Sequence, residues 1–166
     1  MMTHEPRPSP SWRFLCAHPA HLIACGFGSG LSPWAPGTAG TLFAWLSYGW
    51  LRPYFSDLGF AQLLLLALLL GIYVCDKTGR DLGVPDHGAM VWDEIVPFWA
   101  VLFVCPTGTG WALWAFLLFR FFDIVKPPPA RNIDRALKNG FGVMADDVVA
   151  AAYTLLTLAL YKVLLD

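Results

Sequence analysis

The chain has 166 residues, about one domain's worth; 57% are hydrophobic, 14% are charged and the mean hydropathy is +0.54. An ordinary soluble domain carries roughly 25% charged residues, and a disordered chain needs more charge and less apolar surface than this. Eleven Lys and Arg stand against twelve Asp and Glu, a net charge of −1, so no overall positive field exists to hold a nucleic-acid backbone.

Residues 1–17 are rich in proline and short of periodic apolar positions. They read as an unstructured tail ahead of a domain over 18–166, without the apolar stretch of a secretory signal. Cys16, Cys25, Cys75 and Cys105 form no CxxC pair, which fits free thiols better than zinc or a disulfide framework. Gly26 to Thr41 contains five glycines in 16 residues. A glycine-rich loop entering a helix can present free N–H groups to a phosphate. This one is not a P-loop, because the Lys-Ser/Thr ending is missing, and a plain irregular connection is the competing reading.

Leu42 to Leu51 is uncharged and rich in Trp and Tyr, and Leu58 to Cys75 has no charge over 18 residues. The second run is long enough to cross a bilayer, which takes about 17–25 apolar residues. A polar block follows, Asp76 to Glu94. Asp76/Arg80 and Lys77/Asp81 are spaced as i,i+4 pairs on a helix, which accounts for four of its charges. Asp93 and Glu94 are harder to dismiss, since they stand at the mouth of an apolar segment, where two adjacent carboxylates are costly without a cation. His87 reads either as a surface loop histidine or as a proton shuttle.

Ile95 to Phe119 is uncharged over 25 residues but is broken by Pro106-Thr107-Gly108-Thr109-Gly110, leaving 11 residues before the break and 9 after it. At about 1.5 Å per residue neither half crosses a ~30 Å hydrocarbon core. It is one kinked span or a hairpin that dips in and returns. The last polar block holds Arg120, Asp123 and Lys126 at intervals of three, a run of three prolines, then Arg131, Asp134, Arg135 and Lys138. A Gly-Phe-Gly turn leads to Asp146-Asp147 and the apolar stretch from Val148. Carboxylates at a helix N-terminus suit the dipole, and the Arg131–Lys138 pattern also suits a solvated helix face. A chain of this length cannot bury so many all-round apolar helices in water, so the reading is a membrane protein. Its eight tryptophans suit interfacial belts or a core.

Asp93, Glu94, Asp123, Asp146 and Asp147 thus recur at the rims of apolar segments with cations between them. Hard oxygen ligands suit Mg²⁺, and neighbouring cations suit a phosphate. Together they point to metal-assisted chemistry on a phosphate at the membrane surface. A small transporter using intramembrane acids is the rival class, but a cation pathway would avoid the Arg and Lys beside them.

The ordered set Gly26-Phe27-Gly28-Ser29-Gly30-Leu31-Ser32-Pro33, Pro36-Gly37-Thr38, Asp86-His87-Gly88, Val91-Trp92-Asp93-Glu94, Phe119-Arg120, Asp123, Lys126-Pro127, Asp134-Arg135 and Gly142-Val143-Met144-Ala145-Asp146-Asp147 resembles the bacterial phosphatidylglycerophosphatase A family. Departures at Pro97, Pro128, Ala130 and Asn139 remove no charged group. The resemblance implies an all-α fold and a Mg²⁺-dependent lipid phosphatase of the bacterial inner membrane. Its substrate would be phosphatidylglycerol phosphate; no nucleic acid and no protein partner is implied. Asp93, Glu94, Asp123, Asp146 and Asp147 would hold the metal. Lys126 and Arg120 would clamp phosphoryl oxygens, with Arg131 a third candidate and the Gly37-Thr38 turn offering N–H groups. Direct attack by water is preferred to an aspartyl-phosphate on Asp123 or Asp146. A phosphatase for another lipid head group is the near alternative.

Lys77, Arg80, Arg120, Lys126, Arg131, Arg135 and Lys138 lie in the second and third polar blocks. The positive-inside rule puts both in the cytoplasm, which requires the 95–119 segment to return. The expectation is therefore a compact helical membrane protein whose helical hairpins pack around a polar, cytoplasm-facing site. One hairpin turns at 52–57 and the other at 106–110.

Overall fold

A computed structural model describes residues 10–165, and among these it contains helices and no strands. Residues 12–17, expected to belong to the tail, instead form α1 (Trp12–Ala17), and the rest of that expectation falls on residues 1–9, outside the described residues. Ser11 accepts the Phe14 N–H to start α1, and His18 does the same for Ala20 at the start of α2 (Pro19–Ala24). Six-residue helices are marginal alone, so tertiary contacts must hold these. Leu15 is fully buried against Cys25 and Ala89. The His21 ring stacks on Phe14 at 4.1 Å, with Nδ1 2.9 Å from the Phe14 carbonyl and Nε2 2.6 Å from Asp81. A 3₁₀ segment, Gly26–Leu31, follows, with Gly26, Phe27 and Gly28 all at positive φ.

Pro36 opens α3 (Pro36–Leu51). Gly37 and Thr38, expected in a turn, therefore belong to the first turn of a helix. Ala35 supplies no side-chain cap, so their N–H groups still lack an intrahelical acceptor. At the far end Arg52 donates to the Phe55 carbonyl, pairs with Asp57 and lies over the Phe60 and Phe103 rings. This closes the first hairpin into α4 (Asp57–Leu82), which Ser56 caps and left-handed Gly83 ends. The second hairpin is α5 (Trp92–Val104) and α6 (Thr109–Val125). Its turn lies beside Tyr48 and Gly49 at the C-terminal end of α3, so the segment returns as the charge distribution required. Left-handed Lys126 and the prolines end α6, and α7 (Ala130–Ala136) and α8 (Gly140–Leu165) complete the chain.

α5 is the central helix, packed against α3, α4 and α8. Ile95, Val96, Phe98 and Val101 are buried there. Trp92 Nε1 donates to the Ala67 carbonyl, and Trp99 Nε1 to the Ala44 carbonyl and Ser47 hydroxyl. Those two tryptophans are core. Trp12 and Trp34 are exposed at one end of the bundle, and Trp50 is exposed at the other, as interfacial belts require.

α4 and α8 are long and apolar enough to cross a membrane. At about 1.5 Å per residue each spans ~39 Å, more than a ~30 Å core. Leu58, Leu65, Leu66, Leu69 and Leu70 of α4 point outward, as do Leu156, Leu160, Val163 and Leu164 of α8. Contiguous exposed leucine marks a lipid contact rather than a water-facing surface. The N-termini of α3, α5 and α8 and the C-termini of α4 and α6 meet at one end, joined there by contacts described next.

Candidate active site

Two ion-pair clusters occupy that end. In the first, Arg120 of α6 donates through Nη1 to Glu94 Oε2 of α5 at 2.7 Å and pairs with Asp123 one turn on at 2.6 Å. Thr41 of α3 donates to the Gly37 carbonyl at 2.9 Å and lies 3.2 Å from Glu94 Oε2. Three helices are thereby tied through one carboxylate. Gly37 is buried with the Glu94 carboxyl packed on its α-carbon: a Cβ there would lie 2.8 Å from Glu94 Cδ. In the second cluster Lys126, capping α6, pairs with Asp146 of α8. Burial alone would lower the Lys126 pKa; the Asp146 hydrogen bond and charge, helped by Asp147 and Asp86, outweigh it and hold the ammonium well above its ordinary value.

Between the clusters stand Asp93 and Asp147. Both are almost fully buried, 6% and 3% exposed, and each has a buried Oδ1 without a hydrogen-bond partner. Asp147 faces Asp123, Asp93, Asp146 and Glu94 closely enough to be repelled by all four. Five carboxylates share this end with two close cations, Arg120 and Lys126. Such an excess of buried negative charge is tolerated only with protons or added cations.

The arrangement tests the expected metal. All the donors are hard oxygens, and two of them are orphaned, which fits Mg²⁺. Among the described residues, however, no three acidic, His or Cys side chains are arranged to hold a metal ion. The donor set fits, and the side chains as placed do not form a finished cage. Pro97 adds a detail here: inside α5 it has no N–H for the carbonyl four residues back, which is that of Asp93.

Residues 22–162 match the phosphatidylglycerophosphatase A family. The chain belongs to that family. It is 46% identical over 149 residues to the phosphatidylglycerophosphatase A of Haemophilus influenzae, covering 89% of this chain and 91% of that protein. It is 41% identical over 139 residues to the Escherichia coli protein of the same name, covering 83% and 80%. A Bacteroides thetaiotaomicron protein provisionally named phosphatidylinositol-3-phosphatase is 41% identical over 148 residues, covering 85% and 92%. No solved structure matches the chain.

Of the residues singled out in this family member, Asp93, Glu94, Asp123, Asp146, Asp147, Arg120, Lys126 and Gly37 are brought together. Thr38 is beside them on α3, half-buried. Arg131 is not recruited: it lies exposed on α7 and has no ion-pair partner among the described residues, while Asp134 and Lys138 pair with each other. His87 accepts the Ala89 N–H through Nδ1 and so shapes its own loop. Thr41 escaped the sequence reading, although it stands one helical turn after Gly37 and closes the glycine-rich block. Asp86 also escaped it; its loop places it within electrostatic reach of Lys126 and Lys138.

Asp146 and Asp147 are not at a helix start, as their sequence setting suggested. α8 begins at Gly140, where Asp76 Oδ1 of α4 accepts the first N–H at 3.2 Å, and the two acids stand two turns further in.

Proposed function

We propose that the protein hydrolyses phosphatidylglycerol phosphate to phosphatidylglycerol and inorganic phosphate. One observation carries the reading: Arg120 and Lys126 stand among four buried carboxylates and the largely buried Glu94 where an apolar bundle ends. The cations suit a phosphate and the apolar walls suit its lipid. Three further features belong to the proposal: dependence on Mg²⁺, residence in the inner membrane, and a cytoplasm-facing site. The site end carries Lys77, Arg80, Arg120, Lys126, Arg131, Arg135 and Lys138, against Arg52 and Lys162 at the far end, which supports the orientation.

Asp93, Glu94, Asp123, Asp146 and Asp147 would hold the metal, which when bound neutralises phosphate oxygens and makes a bound water more acidic. The chain's own groups do the rest. Lys126, charged throughout the working pH range, donates to a phosphoryl oxygen, exchanging part of its Asp146 contact for it. Arg120 is fixed by Glu94 and Asp123 on either side, so its guanidinium is preorganised for the charge that develops on the phosphoryl group. The uncapped N–H groups of Gly37 and Thr38 add donors from the α3 N-terminus. Water attacks phosphorus as the bond to the glycerol oxygen breaks. A carboxylate takes the water proton, and the leaving alkoxide is protonated from solvent. No carboxylate is set apart from the others as a nucleophile, which favours this over an aspartyl-phosphate.

The test is phosphate release from phosphatidylglycerol phosphate by detergent-purified protein, with Mg²⁺ and with EDTA, beside Asp146→Asn. Release that needs both Mg²⁺ and Asp146 is expected. No release from folded wild-type protein refutes the reaction; release from phosphatidylinositol 3-phosphate instead would move the assignment to the head group named for the Bacteroides relative.

A further inference from the structure

The outward side of α4 and the start of α8 carry three cavities that share walls. The first, about 290 Å³, lies between α4, α7 and α8 and is lined only by apolar groups, among them Leu68, Ile72, Ile133, Phe141 and Val148. Ile72 and Phe141 also wall a second cavity of about 480 Å³, which adds Tyr73, Asp76 and Asn139. Asp76 and Asn139 in turn wall a third of about 170 Å³, where Arg80, Pro85 and Lys138 close the path. The three adjoin in a series, a track that runs from wholly apolar to polar, with Arg80 and Lys138 in the last cavity. Leu69 and Tyr73, which wall the second cavity, are exposed on the lipid-facing side of α4.

Both cations of the polar end are paired with acids, but the pairing does not use all of their donors. Asp76 spends one oxygen on the Gly140 N–H and the other on Arg80 at 3.1 Å. Lys138 pairs with Asp134 at 3.2 Å. A guanidinium has five N–H donors and an ammonium three, so both cations keep free donors. The end also adjoins the candidate active site, because Asp86, next to Pro85, is within reach of Lys138 on one side and Lys126 on the other.

An amphiphile with an anionic head matches both ends of this track; a soluble anion leaves the groove unused, and an uncharged lipid leaves Arg80 and Lys138 unused. We infer that the track seats the phospholipid substrate, one acyl chain in the α4–α8 groove and the phosphodiester between Arg80 and Lys138. The inference rests on the lipid-phosphatase reading above and deepens it. The scissile monoester then belongs to Arg120 and Lys126, and the diester, which the reaction leaves intact, belongs to a second pair of cations. The Arg80–Lys138 pair thereby favours substrates carrying both phosphates over lipids with a lone phosphomonoester.

Two measurements test it. Phosphatidylglycerol bearing a diazirine on one acyl chain has the diester and no monoester, so it reports the track without turnover. Photolysis in vesicles holding the wild-type protein, followed by peptide mapping, should place adducts on Ile72, Phe141 or Val148 at least fivefold above Leu65, Leu66, Leu156 and Leu160. The double variant Arg80→Gln/Lys138→Gln should cut that labelling about tenfold. The same variant should raise KM for phosphatidylglycerol phosphate about tenfold with kcat changed far less. Ile72→Trp, which fills the groove, should also act on KM. Even labelling around α4 and α8, or an unchanged KM in the double variant with its helical circular dichroism intact, overturns the inference. Track labelling by a wild-type protein that does not hydrolyse phosphatidylglycerol phosphate supports the lipid track and refutes the reaction instead.

Discussion

Gly37→Ala isolates the contact between α3 and Glu94. The new methyl would lie 2.8 Å from both Cδ and Oε2 of Glu94, closer than real Cβ contacts come. Gly37 is on the first turn of α3 behind Pro36, so the backbone cannot yield without moving the helix start, and the carboxylate must move instead. Moving it strains a 2.7 Å bond to Arg120 between groups 13% and 15% exposed, and a hydrogen bond of this charged kind contributes about 1.5–3 kcal/mol. Ala in place of Gly returns at most about 1 kcal/mol of helix propensity, less at a terminus. The balance is a loss of stability of about 1–2 kcal/mol. The effect on turnover should be larger, since Arg120 loses one of its two anchors and misplacement of about 1 Å can cost 10²-fold. The assay is kcat/KM for phosphate release in Gly37→Ala, Glu94→Asp and the double variant. Shortening Glu94 by one methylene makes room for the methyl, so the double variant should recover activity relative to Gly37→Ala. A coupling of at least about 1 kcal/mol is expected, because groups in contact do not behave additively. Additivity within about 0.5 kcal/mol would refute the argument.

Three further outcomes follow from the site and its supports. In EDTA, Asp147→Asn should melt above the wild type, since it removes a buried charge whose Oδ1 has no partner; a gain of about 1 kcal/mol is roughly 2–4 °C in a chain of this size, while phosphate release should fall by at least about 10²-fold. An unchanged or lower melting temperature would mean that the acids are not in electrostatic excess. Gly140→Ala should be among the most damaging single changes, because the methyl would press on the Ile72 carbonyl and lie 2.7 Å from the Asp76 backbone N; with backbone on both sides, and the Asp76 cap lost, we expect about 2–4 kcal/mol, read as loss of folded protein in size-exclusion chromatography. Lys126 has a raised pKa, so its own charge is complete below the unfolded lysine value near 10.4 and is lost only as pH rises through the raised value; the melting difference between wild type and Lys126→Met should therefore be flat between about pH 8 and 9, and a fall in that window would refute the charged pairing.

The helices and their hairpins were legible because their signals are local. Eighteen uncharged residues mark α4, and the Pro-Thr-Gly turn with cations on both flanks marks the α5–α6 return. What escaped depends on distant partners. α1 has six residues and weak local signals, and it is held partly by His21, whose ring reaches Asp81 sixty positions away. The start of α3 was hidden because Ala35 is no capping residue. The faces of α7 could not be ranked from spacing alone: Arg131 was a candidate clamp, and burial of Ala130 on the other side leaves it exposed. The five acids were legible as a set meeting at one end, but which of them oppose each other was not, since Asp93 and Asp147 are opposed through packing of α5 on α8.

Where those acids lie along their helices bears on what they do. The helix dipole favours carboxylates in the first turn by about 0.3–1 kcal/mol and fades beyond it. Asp93 and Glu94 are in the first turn of α5, so the dipole alone gives a structural reason for them. It gives none for Asp146 and Asp147, two turns into α8, and it opposes Asp123, near the C-terminal end of α6. Ion pairing accounts for Asp123 through Arg120 and for Asp146 through Lys126. Asp147 has neither the dipole nor, among the described residues, an ion pair of its own: Lys126 feels its charge but pairs with Asp146, and Asp147, 3% exposed, faces four other acids. A purely structural bundle would gain stability by replacing it with an apolar residue of similar size. Its charge among the other acids must be offset by a proton or by a positive group. That is why Asp147, more than any paired member of the site, distinguishes a phosphatase that gathers a cation from a salt-bridged scaffold.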